Sequence, residues 1–277
     1  MSSAPSTSAN FCYRHPDRQS YILCQRCGRT VCTDCQTQAA VGVHCPECVK
    51  EARASAPRTR PAVLSAFRSS SSKPVVTWSL IGVTVLVYLL QILPGSPVTQ
   101  ALLYYPPFTY TEPWRMITAV FVHSQGSIFH LLFNMYSLFI FGPLLERLVG
   151  RGRFLALYLL SGFGGSVGVL LLAPLTPVVG ASGAIFGLLG AFFVIQRRLG
   201  GNNVQLLVLI VLNLVIGFIP GFNVAWQAHL GGLIVGAAIA LLYLRTRRAD
   251  QKVIQIAMLG GIFAVLVGLT LLRLFAL

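Results

Sequence analysis

From residue 75 onward the chain is a succession of apolar runs, and few folds accommodate such a pattern. Seven runs can be delimited: Val75–Leu93, Ile128–Val149, Phe154–Ala173, Ser182–Ile195, Val204–Ile219, Ala225–Leu244 and Val253–Leu272. A membrane-spanning helix needs about 20 such residues. The fourth and fifth runs are short, so shielding by neighbouring helices is expected there. With 55% hydrophobic and 10% charged residues, the chain is too apolar for a soluble globular protein. The pattern predicts an all-α polytopic membrane protein.

The net charge of +14 admits two kinds of partner, nucleic acid or membrane. The basic residues cluster at the ends of the apolar runs, which favours the lipid bilayer over nucleic acid. With residues 1–73 in the cytosol, that segment and the connections after the second, fourth and sixth runs hold 19 of the 21 Lys and Arg. Arg115 and Arg273 are the two outside them. This positive-inside asymmetry sets orientation and span number together, with a cytosolic N-terminus and an exoplasmic C-terminus. No apolar run precedes residue 75, so no cleavable signal peptide is expected.

Orientation converts position into depth. The uncharged loop 174–180 puts Ser182 at the outer start of the fourth span, and the loop Pro220–Val224 puts His229 about one turn into the sixth. His130 and Asn134, one helical turn apart on one face of the second span, fall in the same outer layer. Polar residues inside a bilayer are expensive and require a reason. Gly183, Gly187 and Gly190 on the fourth span, and Ala228, Gly232 and Gly236 on the sixth, form small-residue stripes that allow close helix approach. Packing on those stripes is expected to bring Ser182 and His229 within hydrogen-bond reach. Ser182 would then be a nucleophile and His229 its base. His130, Asn134 and the unpaired amides at the start of the fourth span would supply oxyanion donors. Five of the seven acidic residues lie on the cytosolic side, Glu146 is at the inner end of the second span, and Glu112 shows no link to His229. A Ser–His dyad is therefore expected, with Phe186 stacking to orient the imidazole.

Taken jointly, these residues resemble the rhomboid intramembrane serine proteases. The resemblance rests on Trp114-Arg115, on His130 through Asn134, on Glu146-Arg147, on Gly180-Ala181-Ser182-Gly183, and on Ala228-His229 with Gly232 and Gly236. It covers about residues 75–245. It implies a six-helix core with a water-filled cavity open to the outside. It implies Ser182 as nucleophile, His229 as base, and His130, Asn134 and the Ser182 amide as oxyanion donors, supported by Gly180, Gly183, Phe186, Trp114 and Arg115. It also implies cleavage of single-pass membrane proteins near the outer membrane face, without a catalytic cofactor, in a bacterial plasma membrane. The family often carries Tyr where this chain has Phe186, which keeps stacking and loses a phenol hydrogen bond. The seventh span is an addition to the core. A catalytically inactive relative that binds membrane clients is the alternative. A small-solute transporter is disfavoured, because neither internal repeats nor midplane charges are found.

All seven Cys lie in a head that reads Cys12-x2-His15, Cys24-x2-Cys27, Cys32-x2-Cys35 and Cys45-x2-Cys48. Eight ligands suit two tetrahedral Zn²⁺ ions, and a cytosolic location argues against disulfides. A redox-thiol role is the weaker reading, and His44 is an alternative ligand. The pattern is similar to B-box and RING fingers. Their interleaving implies one site of Cys12, His15, Cys32 and Cys35, and another of Cys24, Cys27, Cys45 and Cys48. Both ions would be structural, and the head would be free to bind a cytosolic protein. The expected organisation is a zinc module at 1–50, a flexible basic linker at 51–73, the six-helix core at 74–245, and the seventh helix and tail at 246–277. Outside the site, His123 is expected at the surface and Trp114 at the membrane interface. Arg115 is expected to bridge the first loop, and Gly162, Gly164, Gly165 and Gly168 to serve packing. Glu146 and Arg147 are expected to anchor the inner end of the second span by pairing and snorkelling.

Overall fold

A computed structural model of the protein describes residues 10–55, 73–219 and 224–275. Most of the expected linker (56–72) and most of the loop before the sixth span (220–223) lie outside the described residues. The chain divides into two compact units, Met1–Thr59 and Arg60–Leu277.

The first unit is small. Strands β1 (Phe11–Cys12) and β2 (His15–Gln19) pair antiparallel, as do β3 (Thr37–Gln38) and β4 (Val43–His44). Helix α1 (Pro46–Ser55) follows, with Pro46 in its first turn and Glu47 complementing the N-terminal dipole. Residues 51–55 were expected to be flexible, yet they are helical. Ala52 and Ala54 extend a helix already started at Pro46. Among the described residues the buried core consists of the cysteines other than Cys27 with only Val31 and Val43, packed against Tyr13. Two valines do not bury enough apolar surface to hold a domain of this size.

Among its described residues the second unit carries seven apolar helices: α2 (Val75–Gln91), α3 (Ile128–Val149), α4 (Arg151–Leu172), α5 (Ser182–Arg198), α6 (Val204–Ile216), α7 (Trp226–Arg245) and α8 (Lys252–Phe275). Four of them, α3, α4, α7 and α8, are long and apolar enough to cross a membrane on length and composition alone. The two short runs behave differently. Helix α5 is buried along nearly its whole length, whereas α6 buries only Leu206 and Ile210. At about 1.5 Å per residue its 13 residues rise about 20 Å, short of the ~30 Å hydrocarbon core. Shielding by neighbours therefore holds for α5 and fails for α6. Phe129, Phe133, Tyr136 and Phe139 point away from the bundle along α3, large exposed apolar groups that suit a lipid surround.

Helices α4, α5 and α7 form the centre, and glycine sets their spacing. A Cβ at Gly232 would strike the Gly183 carbonyl oxygen, and one at Gly236 the Gly187 carbonyl. One at Gly190 would lie 2.7 Å from the Leu233 oxygen. From α4, Gly165 meets the Ala228 oxygen at 3.0 Å on the same basis, and Gly164 abuts Val235. Van der Waals contact between bare backbones replaces the hydrophobic drive that lipid cannot supply.

Glu146 has a role other than anchoring to lipid or to Arg147. It is buried, and its carboxylate accepts from Val76 N (3.0 Å), Thr77 N (2.8 Å) and Thr77 Oγ1 (2.7 Å). Helix α2 has no side-chain cap of its own, so a carboxylate from α3 satisfies its first amides and meets the positive end of its dipole. The seventh apolar helix is tied in by polar contacts as well. Buried Gln255 accepts from Arg153 Nε (2.6 Å) and donates to Thr246 Oγ1 (2.7 Å), while Phe263 packs on Phe163.

Candidate active site

Helices α3, α5 and α7 all begin at the same end of the bundle, and that end carries Ser182, His229, His130 and Asn134. Ser182 opens α5 and is half-buried, while His229 is buried in the first turn of α7. The Phe186 and His229 rings are stacked, with centroids 4.0 Å apart and planes 9° from parallel. Phe186 is one turn after Ser182 on the same face of α5, and long helical side chains lean toward the N-terminus. A ring stacked on Phe186 is thereby held against the turn that carries Ser182. Among the described residues no hydrogen bond joins Ser182 to His229, and His229 Nδ1 is buried without a partner. Such bonds are commonly long before substrate binds.

Gly180 sits between the candidate groups. Its φ of 121° is one that side-chain-bearing residues rarely adopt. A Cβ there would lie 2.7 Å from His130 Nε2 and 3.9 Å from Ser182 Oγ. The absence of a side chain at residue 180 therefore lets imidazole and hydroxyl approach one point. His130 Nδ1 accepts from the Ser124 amide at 3.3 Å. A neutral imidazole then carries its proton on Nε2, the nitrogen facing Gly180 and Ser182. Asn134 is buried, and its Nδ2 donates to the His130 carbonyl at 2.7 Å. One of its two amide hydrogens is thus used within α3, leaving the other.

Trp114 is more than half exposed. Arg115 is buried and clasps the first loop: it pairs with Glu112, donates to the Gln100 and Leu103 carbonyls, and lies 5.7 Å from the Phe108 ring centroid.

His123 was expected at the surface and is instead wholly buried. The Ala181 amide reaches His123 Nε2 at 3.5 Å, and the His123 and His130 rings lie 5.1 Å apart. Burial, with His130 nearby, pushes the His123 pKa down to about 3, so the ring is neutral near pH 7. Gln91, at the end of α2, bonds both backbone groups of His123: Nε2 donates to its carbonyl at 2.9 Å and Oε1 accepts from its amide at 3.0 Å. A chain of contacts thus runs from Gln91 through His123 to the turn before Ser182. Sequence reasoning passed over Gln91 and misplaced His123. The only signal was a second histidine seven positions before His130 and a polar residue closing an apolar run. Replacing Gln91 by Ala leaves two buried backbone groups unsatisfied, at ~1–3 kcal/mol each. The Gln91→Ala variant is expected to melt several degrees lower, and Gln91→Glu also, because a carboxylate cannot donate to the His123 carbonyl and would be buried against it; equal melting temperatures for wild type and Gln91→Ala would reject this bracing role.

In the head, the ligand atoms fall into two groups, each with all atoms within 4.8 Å of one another: Cys12, His15, Cys32 and Cys35, and Cys24, Cys27, Cys45 and Cys48. His44 belongs to neither. His15 Nδ1 lies 3.8, 3.4 and 3.4 Å from the sulfurs of Cys12, Cys32 and Cys35, and Cys27 and Cys45 sulfurs are 3.7 Å apart. A tetrahedron with ~2.3 Å Zn–S and ~2.05 Å Zn–N bonds has edges of about 3.8 Å for S···S and about 3.6 Å for N···S. These four separations lie within a few tenths of an ångström of those edges. Burial raises a thiol's pKa, but backbone amides, from Cys32 and Arg14 at Cys12 and from Cys45 and Arg26 at Cys24, outweigh it and bring both down to about 6. Burial and neighbouring thiols push Cys35 and Cys48 up, a strain that a bound cation removes.

Comparison with known proteins identifies the family. The family model described as the Rhomboid domain matches residues 110–246. Rhomboid protease GluP of Bacillus subtilis (strain 168) is 37% identical over 187 residues, covering 62% of this chain and 36% of GluP. Putative rhomboid protease YdcA of the same strain is 40% identical over 136 residues, 47% of this chain and 67% of YdcA. Rhomboid protease AarA of Providencia stuartii is 30% identical over 220 residues, 66% of this chain and 77% of AarA. The chain thus spans about a third of GluP and most of the other two. A shared region of this length, with a central bundle of glycine-spaced helices, places the chain in the rhomboid family.

Proposed function

We propose that the protein is an intramembrane serine endopeptidase acting on single-pass membrane proteins near the outer membrane face. The observation that carries the reading is the flat stack of His229 on Phe186, which fixes the imidazole beside the Ser182 turn. Ser182 Oγ attacks the scissile carbonyl while His229 takes its proton, and the protonated imidazole then gives that proton to the leaving amine. A water, activated by the same imidazole, hydrolyses the acyl-enzyme and returns the serine.

The oxyanion falls among three donors. His130 Nε2–H and the free Asn134 amide hydrogen come from α3. The Ser182 amide stands at the start of α5, where helix geometry leaves it without an intrahelical acceptor. The Ala181 amide is taken by His123 and contributes nothing to that hole. Phe186 orients His229 by stacking, and the dyad works without a third hydrogen-bonded member. No cofactor enters the reaction.

Charge asymmetry supports a cytosolic N-terminus and exoplasmic catalytic end, in a bacterial plasma membrane. The head is read as a module at 1–50 that binds two structural Zn²⁺ and is available to a cytosolic partner, and 51–73 as its tether. The core at 74–245 performs the reaction, and 246–277 adds the seventh helix. Labelling purified protein with a serine-reactive phosphonate tests the reading. Wild type is expected to label, and Ser182→Ala and His229→Ala to lose labelling while still eluting as folded protein. Equal labelling in all three would sink the dyad, and none in wild type would favour the inactive client-binding alternative.

A further inference from the structure

At the end of the bundle away from Ser182, a cleft opens between the last turns of α3, α5 and α7 and the first turn of α4. Its volume is about 210 Å³, many times what a single water needs. Leu148, Ile195, Leu199 and Leu244 give it apolar walls, and Arg153 and Arg247 stand among them.

The two cations are unneutralised. Among the described residues no carboxylate lies within 4.0 Å of either, and the nearest acidic neighbour in sequence, Asp250, pairs with Arg248 at 3.3 Å. Arg153 is also held in place. Its Nε donates to Gln255, its backbone carbonyl accepts from Tyr243 Oη at 2.9 Å, and its guanidinium carbon lies 5.8 Å from the Tyr243 ring centroid. That leaves its two terminal nitrogens presented as a fork, the shape that matches phosphate oxygens. Arg247 is exposed at the rim and free to close on the same group.

We infer that this cleft binds one anionic phospholipid, with an acyl chain along the leucine and isoleucine walls and the phosphate between Arg153 and Arg247. A free phosphate would satisfy the cations and leave the apolar walls wet; a zwitterionic lipid would fill the walls but bring its own cation to two arginines. An anionic lipid satisfies both, and basic pockets between spans on the cytosolic side are suited to it. Binding would cross-link the ends of α4 and α7 and so tie the Gln255 network, and with it α8, to the core.

The test uses the full chain in detergent. The protein is incubated with phosphatidylglycerol or phosphatidylcholine, with or without millimolar inorganic phosphate, and retained lipid is counted by native mass spectrometry. One phosphatidylglycerol is expected to survive at activation energies that strip phosphatidylcholine. Arg247→Gln and Leu199→Trp, one removing charge at the rim and the other filling the slot, should each cut retention by at least about fivefold. Size-exclusion chromatography checks folding, and Arg247→Gln is an exposed change that carries little risk to it. Equal retention of both lipids, undiminished retention in both variants, or displacement of the lipid by inorganic phosphate would each overturn the inference.

Discussion

Replacing Ser182 by alanine is expected to reduce cleavage of a single-pass substrate by about 10⁴-fold or more in kcat/KM. In the proposed mechanism the loss is large because the Ser182 hydroxyl is the group that would bond to the scissile carbon. Stability should barely change. Ser182 is half-buried, and its hydroxyl makes no hydrogen bond to another described residue, so Ala removes one oxygen without leaving an orphaned partner. A change within ~0.5 kcal/mol is expected. Cleavage assayed in reconstituted vesicles, beside a melting curve, separates the two outcomes. Undiminished turnover by a well-folded Ser182→Ala variant would remove Ser182 from the chemistry.

Stripping metal is the second large effect. Elemental analysis of the full chain is expected to find two zinc ions per molecule, and a strong chelator to release both. Residues 10–55 should then become susceptible to protease while the membrane unit keeps its melting temperature. The size follows from the core. Among the described residues Val31 and Val43 are the only buried aliphatic side chains of the head, so metal binding, worth ~10–16 kcal/mol at a structural zinc site near neutral pH, is expected to supply most of its stability. Cys12→Ser and Cys24→Ser, one from each ligand group, should each release an ion. A head that resists protease after chelation would contradict a metal-dependent fold.

Much of this was legible in the residues. The period of apolar runs and the four CxxC-type pairs specify elements because bilayer thickness and tetrahedral coordination are fixed lengths that a chain must match. The Gly183/Gly187 and Gly232/Gly236 stripes were legible for a related reason. A missing side chain four residues from another marks one face of a helix, and two such faces meet where nothing else in lipid draws helices together. Phe186 was readable as a stacking partner because it follows Ser182 by one turn.

Where sequence reasoning went astray, the deciding partner was distant along the chain. Glu146 looked like an anchor at a helix end, but its acceptors are satisfied by amides some 70 residues earlier, at the start of α2. His123 looked like a surface residue because a lone histidine in a loop has no local reason to be buried. It is buried because Gln91 closes both its backbone bonds from 32 residues away and the turn before Ser182 closes over its ring. The fifth apolar run seemed to need shielding, and nothing in its composition revealed that it would stay at the periphery.

Local periodicity, charge sidedness and ligand spacing were therefore fixed by the sequence alone, since each is a property of neighbours along the chain. Which amides Glu146 caps, which backbone groups Gln91 braces, and which two arginines face one cleft were decided only when segments far apart in sequence came together in the bundle. Contacts of that kind depend on interhelical distances of a few ångströms, and one-dimensional order does not contain them.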